Sequence, residues 1–87
     1  MRLEMTLYTQ NHIVGRETTR PNDLTQSFSK QVEECLLALC KALNAPIPLW
    51  LRKNTKEFAM FHQTIFFPEQ FNEKVNFDRM VLRYYES

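Results

Sequence analysis

Between Leu24 and Leu43 apolar side chains return every three or four positions, and this stretch limits the possible folds more than any other. Leu24, Phe28, Val32, Cys35, Leu36, Leu39 and Leu43 fall within an arc of ~120° on a helical wheel, with Lys30, Glu33, Glu34 and Lys41 opposite. A helix with one apolar side must lay that side on another element. Asp23, with Gln26 three residues on, has the form of a capping box and places the start at Leu24. Asn44 suits a left-handed cap, and Pro46 confirms the stop. Leu37 breaks the pattern, because it sits among the charges. It reads as a lone exposed leucine, as a residue covered by the Pro46–Leu51 segment, or as a contact to a second chain.

The sequence on either side supplies the surface this helix needs. Arg2 to Tyr8 alternates, with Leu3, Met5 and Leu7 on one side, as a half-buried strand does. The turn-like Thr9–His12 leads into a β-branched run, Ile13 to Thr19, so the two form a hairpin. Gly15, the only glycine, marks a bulge in its second strand. Ala45 to Leu51 reads as an extended connector tucked down by Ile47, Leu49 and Trp50. Asn54 and Glu57 form a second capping box for a short helix that buries Phe58 and Phe61. Thr64–Phe67 is a short strand stopped by Pro68, Glu69–Asn76 a loop, and Phe77–Glu86 a last strand.

The expected fold is therefore α+β in the order β-β-α-α-β-β. One long and one short helix cover one face of an antiparallel sheet of about four strands, in a single small domain over residues 1–87. An apolar content of 44% with 13% aromatics provides a core for a chain of this size. The other sheet face would carry Glu4, Thr6, Tyr8, Arg83 and Tyr85, either wet or in contact with a partner.

Several chemistries lack their residues. There is no paired-ligand spacing for a metal, so none is expected, and one glycine cannot build a phosphate cradle. Cys35 and Cys40 point ~140° apart on a helix and cannot bridge each other, which suits small core residues in a reducing compartment. Cys40 lies at the rim of the apolar arc, so pairing with His62 is the one nucleophilic arrangement to test. No signal peptide or membrane-length apolar run is visible, and the expected location is cytoplasmic. A net charge of +1 gives no global argument for nucleic acid.

The remaining suggestive feature is local. Arg52, Lys53 and Lys56 stand against Glu57 alone, beside the only tryptophan, Trp50. The expectation is a non-enzymatic protein-interaction module without cofactor or small-molecule ligand. Self-association is one form of it, through edge pairing of the first or last strand. The partner-binding candidates are Arg52, Lys53, Lys56, Leu37 and Tyr85. The alternative is nucleic-acid binding through Arg52, Lys53 and Lys56, with Trp50, His62, Arg79 and Arg83 as further contacts.

Overall fold

A computed structural model describes residues 1–86 and shows the α+β arrangement in the expected order. Strands β1 (Arg2–Thr9) and β2 (His12–Thr19) form the hairpin, followed by helices α1 (Phe28–Ala42) and α2 (Arg52–Phe61). Strand β3 (Gln63–Phe66), a single 3₁₀ turn (Pro68–Gln70) and strand β4 (Arg79–Tyr85) complete the chain. The sheet is antiparallel, in the order β2-β1-β4-β3. The first and last strands are thus its centre, and the edges belong to β2 and β3. Edge pairing through the first or last strand is therefore corrected, because β1 and β4 already have ladder partners on both sides.

The hairpin turns on Gln10 (φ 50°) and Asn11 (φ 65°), two successive left-handed residues of the kind a tight two-residue turn requires. The register slips at Leu7/Tyr8: Leu7 faces Gly15 while Tyr8 faces Ile13, leaving Val14 as the extra residue of a bulge. The end of α1 rests close on Gly15, so a larger residue there would push the Leu43 side chain aside. A Cβ at this position would lie 3.0 Å from Leu43 Cδ2.

Leu3, Met5 and Leu7 of β1, Met80 and Leu82 of β4, and Phe66 of β3 form the sheet side of the core. Val32, Cys35, Leu36, Leu39 and Cys40 of α1 close it. Each such side chain contributes about 1.5–3 kcal/mol when removed from water. Cys40 is buried, not at an accessible rim as the wheel implied, because the turn after α1 folds back over the helix end. That turn is a Schellman cap: Ala45 N–H donates to Cys40 O (2.8 Å) and Asn44 N–H to Lys41 O (3.1 Å), with Asn44 at φ 53°.

Both helix starts differ from the expectation. α1 begins at Phe28, where the Ser27 hydroxyl accepts from Lys30 N–H (3.3 Å). Asp23 is occupied by Thr25, whose N–H donates to its carboxylate at 2.9 Å, in a local Asx turn. Leu24 is consequently left outside the helix, 71% exposed. α2 begins at Arg52, so Asn54 lies inside its first turn and not at its cap. Phe58 is buried as expected, but Phe61 is 65% exposed because the helix ends there and the chain reverses through His62 at φ 57°. In the connector Trp50 packs down as expected, but Pro48 and not Ile47 or Leu49 is the other buried residue. Pro48 is buried and Trp50 is partly buried against the core, while Ile47 and Leu49 face outward.

Candidate functional site

α1 rests on β1 and β2, and α2 rests beside β3. The strand between these supports is β4, so the two helices straddle it. The gap is an open apolar groove of about 830 Å³. Val32, Leu36 and Leu37 of α1 form one wall; Thr55, Phe58, Ala59 and His62 form the other. Tyr84 of β4, with Ile47, Pro48 and Trp50 of the connector, completes the lining. This concavity is large for a domain of one sheet and two helices. It arises because the helices sit over opposite halves of the sheet.

The groove floor is aromatic and held by edge-to-face and tilted ring contacts. The ring of Phe28 meets that of Tyr84 at 5.4 Å and that of Phe58 at 6.3 Å, and His62 meets Tyr84 at 5.1 Å. Trp50 packs on Phe58 (5.7 Å) and Phe66 (5.5 Å), and its indole N–H donates to Thr55 Oγ1 at 2.8 Å. The tryptophan is thus a wall of the groove with its polar atom satisfied, not a free stacking platform. The polar residues at the lining are few: Ser29, Glu33, Thr55, His62 and Glu86.

On its other side α2 is fixed by polar atoms. Asn54 is fully buried, and all four of its hydrogen-bonding positions are used. Its amide donates to Thr64 Oγ1 (2.7 Å) and Ile65 O (3.2 Å), and its carbonyl accepts from Leu51 N–H (2.9 Å) and Gln70 Nε2 (3.0 Å). Thr64 in turn donates to Glu57 Oε1 (2.7 Å), so Glu57 braces β3 and does not reach back to a helix cap. Gln70 donates to Leu49 O (3.2 Å) and accepts from Phe67 N–H (3.1 Å). This network joins the connector, α2, β3 and the 3₁₀ turn. Sequence reasoning missed it, although an asparagine followed by a threonine within a short helix is a local signal of polar atoms needed elsewhere.

The structure separates the predicted contact residues. Leu37, 44% exposed, lines the groove and is covered by neither the connector nor the core. Arg52 and Lys56 lie one helical row outward from Thr55 and Ala59, along the groove's α2 rim. Lys53 points to the opposite side, where its ammonium stands 4.9 Å from the Phe67 ring. Tyr85 is on the far face of the sheet, beneath Arg2 and Arg83. The three cations are therefore not one patch, and they do not surround Trp50.

The nucleophile arrangement is corrected in the same way. Cys35 and Cys40 are each about 1% exposed, and both are unbridged. Burial pushes the Cys40 thiol up to about 11, and burial with the nearby Glu34 raises that of Cys35. A sealed thiol of raised pKa is a poor nucleophile. His62 turns its ring to Tyr84. Among the described residues no group of three or more His, Cys, Asp or Glu side chains is placed to hold a metal ion, and no helix is long and apolar enough to cross a membrane. No protein-family model, curated protein or solved structure matches this chain.

Proposed function

We propose that this protein is a non-enzymatic interaction module whose groove between α1 and α2 receives an amphipathic helix of a protein partner. The observation that carries the reading is an apolar trough of about 830 Å³ left open above the aromatic floor of an otherwise closed core. Two helices over one sheet leave room for a third, and an apolar face with anchors at i, i+3, i+4 and i+7 is the form that fills such a groove. Among the described residues, Glu33, which faces Lys30 at 4.0 Å, and Glu86 are the only charged side chains in the lining, so the partner helix carries a lysine or arginine beside its apolar face. Buried, unbridged cysteines support a reducing compartment, and we place the activity in the cytoplasm.

The test is selection of helical peptides displayed against the full chain, followed by titration of the selected peptides. The reading expects basic amphipathic sequences whose affinity falls more than tenfold on Leu37→Glu and on Ala59→Arg. Peptides indifferent to both substitutions would contradict it. So would a second copy in the groove, seen as a dimer in sedimentation velocity that Leu37→Glu dissociates.

A further inference from the structure

The face of the sheet turned away from the helices has a composition unlike the rest of the molecule. Four of the six arginines lie on it, Arg2, Arg16, Arg79 and Arg83, and none of the five lysines belongs to its strands. The register gathers them. Thr6 pairs with Arg16 on one side and Val81 on the other, Glu4 with Arg83, and Tyr8 with Arg79. Glu4 is the one carboxylate among them, 3.9 Å from Arg16 Nε and 3.4 Å from the Tyr85 hydroxyl. Asp78, next in sequence to Arg79, is held at the hairpin tip by Gln10 N–H. A chain of net charge +1 thus concentrates an excess of about three positive charges on one surface.

Three of the four guanidinium groups are stacked. Arg79 lies 4.0 Å from the centre of the Tyr8 ring, and Arg2 and Arg83 lie 4.3 and 5.0 Å from that of Tyr85. Arg2 Nε is shielded from solvent without an acceptor among the described residues. These ring contacts restrain the guanidinium groups to different degrees of exposure: Arg83 is exposed, Arg2 and Arg79 are half-buried, and Arg79 Nη1 donates to Asn11 Oδ1 at 3.4 Å.

We propose that this face binds single-stranded nucleic acid, its arginines meeting phosphates and the exposed Arg83 plane meeting a base. An acidic peptide would need only charge, whereas this face pairs its cations with the Tyr8 and Tyr85 rings, and exposed Arg83 adds a planar group of the kind a base covers. The array lies flat on a sheet and offers no projecting helix or ribbon for a duplex groove, which selects the single strand. Arg79 and Arg83 stand about 13 Å apart along β4, so one strand lies across both.

Anisotropy of labelled oligo-dT and oligo-U with the full chain at low salt tests this. Four phosphate contacts predict a slope of log affinity on log salt of about −3, or about fiftyfold weaker binding at about 200 mM than at about 50 mM salt. Replacing two arginines (Arg79→Gln with Arg83→Gln) halves that slope, to about −1.4. Arg83→Lys keeps the charge but loses the plane, and weakens binding at least about fivefold with little change of slope. Arg52→Gln with Lys56→Gln, on α2, leaves the slope unchanged. Circular dichroism confirms that each variant is folded. The proposal is overturned by absence of binding at low salt, by Arg83→Lys binding as the parent does, or by equal losses from the α2 pair. Competition by polyglutamate as strong as by oligonucleotide would overturn it too, and would assign the face to acidic peptides.

Discussion

The two sides of α2 are made of opposite materials. Toward β3 the helix is bound by a closed polar network in which Asn54, Thr64 and Gln70 are buried and satisfied. Toward α1 it meets mainly apolar and aromatic surface, and most of that surface is open. A polar network fixes position, because its geometry tolerates little displacement. An apolar wall fixes little and accepts whatever fills it. The difference explains how a small domain keeps two helices apart over the same sheet: α2 is stapled from outside, so the core does not need to draw it against α1.

Removing the staple breaks this comparison most severely. Asn54→Ala leaves Leu51 N–H without its acceptor and takes one of two partners from each of Gln70 Nε2 and Thr64 Oγ1, and is expected to cost about 3 kcal/mol, or roughly 15 °C in Tm for a domain of this length. A loss below about 1 kcal/mol in chemical unfolding would mean that apolar packing alone positions α2.

The sealed core beneath α1 is probed through Cys40, buried near the end of that helix. Its thiol is raised from 9.0 to about 11 by burial. Below pH 9 it is neutral in both states and adds no pH dependence. Between the two values the unfolded chain ionises and the folded one does not, so stability falls with rising pH. Linkage gives about 1.4 kcal/mol per pH unit and roughly 2–3 kcal/mol in total, a decline that Cys40→Ala should remove. An identical alkaline decline in the variant would mean that water reaches this thiol.

Smaller effects sharpen the contrast. Lys53→Ala removes the contact to the Phe67 ring and should cost about 0.5 kcal/mol, measured by denaturant unfolding, because the pair is exposed. Leu37→Glu should change stability by less than about 0.5 kcal/mol, since the side chain is already in solvent at the groove. Unfolding of this variant at markedly lower denaturant would mean that Leu37 serves the core and not a partner.

Local patterns made most of the fold readable. The period of α1, the alternation of β1 and β4 and the left-handed Asn44 each reflect physics that neighbouring residues decide. Failures fall where distant partners compete. Asp23 has the right form for a cap, yet Thr25 takes its carboxylate first, and Leu24 fits the apolar arc without belonging to the helix. Asn54 looks like a cap because its use by Thr64 and Gln70 depends on tertiary placement. The groove was visible only as the stray Leu37. The arginine face was legible in part: the alternation of the first and last strands put Tyr8, Arg83 and Tyr85 on the outer side of the sheet, but Arg2, Arg16, Arg79 and Arg83 meet as one group only through the strand order β2-β1-β4.

The most direct measurement is a ¹H–¹⁵N NMR titration of the full chain with a basic amphipathic helical peptide selected against it. The account predicts shifts confined to the groove, at Leu36, Leu37, Ile47, Ala59, His62 and the Trp50 indole N–H, with the amides of Asn54, Thr64 and Gln70 unmoved. Shifts centred on β1 and β4 residues of the open sheet face, or spread through the Asn54 network, would contradict it.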